Sequence, residues 1–225
     1  KTGEKIEKEK TREIFKDEGS FKSTGNVNNF KTIDNEEKFS LQLSELNKKY
    51  EHCTSCVLSE TRHKFVFGEG NSQADIMFIA EAPGADEDKI GKPFVGKAGK
   101  LFDKMLLAVN LDRKKVYITN VVKCRPPKNR NPKIEEIEKC LPCLLQQISI
   151  IKPKIICALG KVAGNTLLQG DNTLGEMRAK FYPFNDSLVM VTYHPSALLY
   201  QNKWKRPTWE DLKMLRKKYQ ELGIN

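Results

Sequence analysis

No stretch of the 225-residue chain approaches the roughly 20 consecutive apolar residues that a membrane span requires. A membrane protein is therefore excluded, and no membrane partner is expected. The opening residues, KTGEKIEKEK, lack the apolar core of a secretory leader. An intracellular protein is expected, cytoplasmic or nucleoid-associated. Histidine is scarce, with only His52, His63 and His194. No His and carboxylate set stands at metal-binding spacing, which argues against a zinc hydrolase. No internal repeat is present. The six cysteines are not the framework of a small secreted domain, and in a reduced compartment clustered thiols more often hold metal than pair with each other.

What the chain does have is basic charge. The formal net charge is +10, which points to a polyanionic partner and says nothing about fold. Residues 1–40 carry nine basic and nine acidic side chains, so the whole excess lies in residues 41–225. The first 40 residues are poor in large apolar side chains and include the polar run STGNVNN at 23–29. They bury too little surface to offset chain entropy, and a disordered or weakly structured tail is expected there. Residues 41–225 read as one domain.

Within that domain apolar runs alternate with amphipathic segments. Strands are expected at 74–80 (ADIMFIA), 115–122 (KVYITNVV), 154–160 (KIICALG) and within 187–196 (SLVMVTYHPS). Helices are expected at 97–109, 134–151, after Gly160 and at 208–222, with a kink or break at Pro142. Buried strands separated by helices imply an α/β fold: a three-layer α/β/α sandwich around a central four-stranded parallel sheet. Such sheets bind ligands beyond the carboxyl ends of their strands. There the sequence places Glu81-Ala82-Pro83-Gly84, Asn120, Gly160 and His194-Pro195-Ser196.

Two cysteine groupings suit a metal. Cys53, Cys56, Cys140 and Cys143 form a paired CxxC site of the zinc type. Cys53, Cys56, Cys124 and Cys140 supply four thiolates for an iron–sulfur cluster. Spacing does not choose between them. Cys157 sits inside the third strand, as a core thiol does.

The stretches AEAPGADEDKIGKPFVGKAGKLFDKML (80–106), YITNVVKCRPPKNRNP (117–132), KPKIICALG (152–160) and YHPSALL (193–199) resemble, in order, the family-four, iron–sulfur branch of the uracil-DNA glycosylases. The resemblance spans roughly residues 41–222. It implies a monomeric, monofunctional repair enzyme that flips uracil out of single- or double-stranded DNA and hydrolyses its glycosidic bond. It also implies a [4Fe-4S] cluster on Cys53, Cys56, Cys124 and Cys140. The competing reading is a non-catalytic metal–thiolate module that binds nucleic acid without turnover. Glu81, Phe94, Asn120 and His194 together separate the two, because a binding module has no need of all four.

The resemblance implies a task for each, which its chemistry suits. A donor on His194 meets the uracil carbonyl as negative charge builds on the leaving base. The Asn120 amide pairs with both a carbonyl and the ring N–H of uracil. Phe94 stacks on the flipped base, and the Ala82 turn offers backbone amides to it. Glu81 orients water or steadies the cationic sugar. Glu87 is expected near C5, where its bulk disfavours a thymine methyl. Lys123, Arg125, Lys128 and Arg130 surround Cys124 and suit phosphate contacts. Ser196 and Leu198 belong to a short segment suited to wedging into the duplex. Two departures from the family pattern stand out: Ala80 where Gly is usual, and Tyr200 where Arg is usual. The basic insertion of the covalently crosslinking relatives is absent after Gly99, so no covalent DNA adduct is expected.

Overall fold

A computed structural model describes residues 35–223. The tail expected at 1–40 lies mostly outside them. Its last residues open helix α1, which begins at Asn35 and runs to Tyr50. Leu43 and Leu46, at helical spacing just beyond the expected tail, are buried on α1 and anchor it.

After a short helix α2 (Leu58–Thr61) come strands β1 (Glu69–Gly70) and β2 (Ile76–Ala80), then helices α3 (Ala85–Ile90) and α4 (Lys97–Ala108). Strand β3 (Val116–Asn120), helix α5 (Ile134–Ile151), strand β4 (Ile155–Leu159) and helix α6 (Lys161–Leu168) follow. Helix α7 (Leu174–Met177), strands β5 (Phe181–Phe184) and β6 (Ser187–Thr192), and helices α8 (Pro195–Tyr200) and α9 (Lys205–Glu221) complete the fold.

The sheet has six strands in the order β1-β3-β2-β4-β6-β5. It is mixed, which corrects the expected four-stranded parallel sheet. The strands read from the sequence pair in parallel at its centre. Two further strands, β1 and β5, close the edges antiparallel. Both escape a pattern reading for physical reasons. Strand β1 is two residues long, and β5 carries Pro183, which reads as a strand breaker. An edge strand tolerates proline because one side of its ladder needs no donor.

Side chains alternate across the sheet with period two. Met77 and Ile79 of β2 enter one core with Leu43 and Leu46 of α1 and Leu144 and Ile148 of α5. Ile76, Phe78 and Ala80 enter the other with Phe102 and Leu106 of α4 and Leu212 and Leu215 of α9. Each large apolar side chain so buried contributes roughly 1.5–3 kcal/mol. Helix α5 is one assigned element across Pro142, so the break expected there does not occur.

The connection leaving β2 leads to β3 on one side of the sheet, and the connection leaving β4 leads on to β6 on the other. A crevice therefore opens between β2 and β4 at their carboxyl ends, the point at which an α/β sheet binds its ligand.

Candidate active site

A cleft of about 360 Å³ occupies that crevice. Glu81, Ala82, Glu87, Phe94, Asn120, Arg130, His194 and Ser196 line it, together with Asn129, Asn131 and Gly160. The first eight had been singled out in the sequence. Glu81 and Ala82 follow β2, Asn120 ends β3 and His194 follows β6, whereas Glu87 lies in α3, Phe94 in the loop before α4, Arg130 in the loop before α5 and Ser196 in α8.

His194 caps α8, with Pro195 at the first helical position. The Ser196 backbone N–H donates to its Nδ1 at 3.1 Å, and the Ser196 hydroxyl lies 2.7 Å from the same atom. An atom that accepts from a backbone N–H carries no proton. In the neutral ring the proton is then on Nε2, leaving that nitrogen as a donor. Burial holds the ring neutral by lowering its pKa to about 4.

Phe94 is 5 % exposed, with its ring on Phe102 at 4.6 Å and facing His194 at 5.4 Å. Its backbone has φ 54°, a costly conformation for an aromatic residue. Three contacts fix it there. Glu87 Oε1 accepts from the N–H groups of Val95 and Gly96 at 2.9 and 3.0 Å. Arg113 donates to the carbonyls of Pro93 and Phe94 and pairs with Asp103. Gly99 admits the Phe94 carbonyl so closely that a Cβ would overlap it. Glu87 is thus a clamp on the Phe94 loop as well as a cleft wall.

Asn120 is 2 % exposed at the end of β3. Among the described residues nothing bonds its side-chain amide, which faces the cleft. The Glu81 carboxylate also bonds to no described residue, and burial raises its pKa.

The basic residues divide. Arg125 donates to Asn129 Oδ1 at 2.8 Å, and Lys128 is exposed, both in the loop beside the cleft. Lys128 and Asn129 have φ 55° and 56°, two strained residues in a row. Arg130 grips the buried Glu136 with two nitrogens, at 2.8 and 2.6 Å. Lys123 is the exception. It is 0 % exposed, so it has no surface ammonium to offer a phosphate. Its side chain turns inward because Thr119, the Asn120 carbonyl and Gln147 receive it. Leu198 also departs from expectation: it is 3 % exposed and packs in the core. The outward apolar groups of α8 are Leu199 and Tyr200, 43 % and 84 % exposed.

Behind the basic loop lies a small cavity walled by Cys53, Cys56, Cys124 and Cys140. Cys143 is not on its wall. It is 1 % exposed in the apolar core, and Cys157 is buried in the sheet. Arg62, which the sequence did not flag, donates to Cys124 Sγ at 3.1 Å and to the Cys53 carbonyl at 2.7 Å. The Lys123 backbone N–H donates to Cys140 Sγ at 3.3 Å. Burial pushes the Cys124 thiol up and Cys140 to about 12, so each would have to lose its proton to a bound metal. Among the described residues no three His, Cys, Asp or Glu side chains converge as ligands of one ion. Four thiols spread around a cavity, those of Cys124 and Cys140 accepting from N–H donors, suit a cluster in which each thiolate would take its own iron.

Residues 67–213 match the family model described as the uracil DNA glycosylase superfamily. A Type-4 uracil-DNA glycosylase of Saccharolobus solfataricus is 45% identical over 173 residues, which is 73% of this chain and 80% of that protein. A Type-4 uracil-DNA glycosylase of Pyrobaculum aerophilum is 41% identical over 77% of this chain and 93% of its own length. Another, of Thermotoga maritima, is 41% identical over 74% and 89%.

Proposed function

The chain belongs to the uracil DNA glycosylase superfamily, and on that premise we propose that it is a DNA repair enzyme that excises uracil and leaves an abasic site. The observation that carries this reading is that one cleft is lined by both the Asn120 amide, bonded to no described residue, and a neutral His194 with its proton on Nε2. A uracil edge offers two acceptor carbonyls and a ring N–H, which an amide and a donor complement. The base has to leave the stack to reach such a recess.

Departure of uracil puts negative charge on its carbonyl oxygens. His194 donates from Nε2 to that charge as it grows, while Ser196 holds the ring from the other side. Asn120 reads the base edge. Phe94 supports the base with the part of its ring left open to the cleft. Glu81, whose carboxylate bonds to no described residue, orients water or steadies the cationic sugar. Glu87 keeps the Phe94 loop against the Ala82 turn and narrows the space for a C5 methyl.

Cys53, Cys56, Cys124 and Cys140, gathered around the cavity behind the loop, would hold a [4Fe-4S] cluster. Its role there would be structural, steadying residues 124–131, from which Arg125, Lys128 and Arg130 meet phosphates. Leu199 and Tyr200 take the wedging role expected of Leu198. DNA is read as the sole macromolecular partner, bound by a monomer within the cell. A binding module without turnover has no use for a neutral imidazole, a carboxylate and an amide gathered in one recess, the last two bonded to no described residue.

The test is incubation with uracil-containing and undamaged oligonucleotides, then alkali. Cleavage at uracil alone is expected. Intact strands throughout, with DNA binding retained, would replace this reading with the binding module.

A further inference from the structure

Lys123 is a fully buried lysine with no carboxylate beside it among the described residues. Its Nζ lies 2.5 Å from Thr119 Oγ1, 2.7 Å from the Asn120 carbonyl and 2.6 Å from Gln147 Oε1. The Thr119 hydroxyl has its own acceptor in the Phe67 carbonyl at 2.8 Å. Three N–H bonds of an ammonium therefore meet three oxygens, and none is left over. Burying such a group is costly unless every bond is made. Gln147 is itself fixed, since its Nε2 donates to the Phe67 carbonyl at 2.9 Å and reaches the Tyr117 hydroxyl at 3.3 Å.

The position of this knot gives it meaning. Asn120 is the last residue of β3. Its side chain faces the cleft without a partner among the described residues, while its carbonyl is held from behind by Lys123. The same lysine touches the cysteine cavity through its backbone, at Cys140 Sγ. One residue thus joins the site that reads the base to the site that anchors the basic loop.

We propose that Lys123 is a positioning residue for uracil recognition, whose buried ammonium fixes the end of β3 so that the Asn120 amide stands ready to read the base. This rests on the glycosylase reading above. The lysine never meets DNA, and its effect passes through Asn120. An amide displaced by a fraction of its length loses directed hydrogen bonds to uracil, whereas phosphate contacts elsewhere are untouched.

The experiment uses the full chain and its Lys123→Met variant. Single-turnover uracil release is measured against enzyme concentration, inhibition is measured with free uracil, and affinity is measured with abasic DNA. Absorbance near 400 nm and thermal midpoint are recorded alongside. In the variant, free uracil should inhibit about tenfold more weakly or worse. Abasic DNA affinity and absorbance per protein should stay within about twofold. Thr119→Val and Gln147→Met each remove one oxygen from the same ammonium. Each should weaken uracil inhibition about threefold, and the pair together should approach the lysine variant. A lysine that only supported the fold would lower the thermal midpoint and leave uracil inhibition of the folded protein unchanged. That result overturns the proposal. If Lys123→Met does not fold, the double variant decides, and wild-type inhibition there overturns it equally. A wild-type protein that releases no uracil would bring down the glycosylase reading first.

Discussion

Phe94 and His194 face each other with ring centroids 5.4 Å apart and planes 26° from parallel. The rings are too close for a base to slip between them. Phe94 therefore serves two neighbours: it backs the imidazole and leaves only part of its ring for the substrate. The Ser196 N–H and hydroxyl hold the imidazole at its Nδ1, so the ring is confined from that side as well.

That confinement makes His194 a fixed donor. His194→Ala should lower single-turnover uracil release about 10²-fold or more, as expected for loss of one donor to a developing anion. Binding to abasic or undamaged DNA should change far less.

The same ring gives a pH signature. Its folded pKa is lowered to about 4 from 6.5. As pH falls through 6.5 the unfolded chain takes up a proton that the folded chain refuses. Stability from this group is complete above about 6.5 and is lost as pH drops from there towards 4. Urea midpoints measured at pH 7 and pH 5 should differ more for the wild type than for His194→Gln. Uracil release should keep its neutral donor down to about pH 5.

Asn120→Asp should change base choice rather than the barrier alone. A carboxylate accepts from a cytosine amino group and cannot donate to a uracil carbonyl. Uracil excision should fall, and cytosine excision should rise relative to it. Unchanged rates on both bases would remove Asn120 from base reading.

The cysteines separate by position. The purified protein should be yellow-brown, with broad absorption near ~400 nm. Cys124→Ser should bleach it, whereas Cys143→Ser and Cys157→Ser should not. Arg62→Gln should keep the colour and lose it faster to a chelator, because Cys124 would lose its N–H support. One zinc per chain and no iron or sulfide would overturn the cluster assignment.

Helix α8 offers a paired test. Leu198→Ala opens the core and should cost about 2–5 kcal/mol of stability. Tyr200→Ala should leave stability within about 0.5 kcal/mol. Yet Tyr200→Ala should shorten the lifetime of the abasic-DNA complex, measured by competition, since the wedge faces outward.

Much of this was legible in the residues. Four strands showed themselves as apolar runs, and the polar residues after them converge on one cleft because parallel strands carry their carboxyl ends to one edge. What escaped notice has local causes. Pro183 breaks the strand pattern of β5. Lys123 looked like its basic neighbours, since a one-dimensional pattern does not show three oxygens waiting inside. Leu198 and Leu199 are adjacent and chemically alike, and only the helix phase decides which is buried. Arg62 lies 62 residues from the sulfur it supports, beyond any local spacing rule.

The order of the strands also bears on when the protein becomes active. Strand β6 lies between β4 and β5 and joins the sheet after β2, β3 and β4 in sequence. His194 follows β6 directly. A chain emerging from the ribosome holds Glu81, Phe94 and Asn120 long before its donor exists, and a refolding chain gathers all four only once β6 has docked. Uracil release during refolding should therefore appear last, after secondary structure has formed, and its onset would time the closure of the sheet.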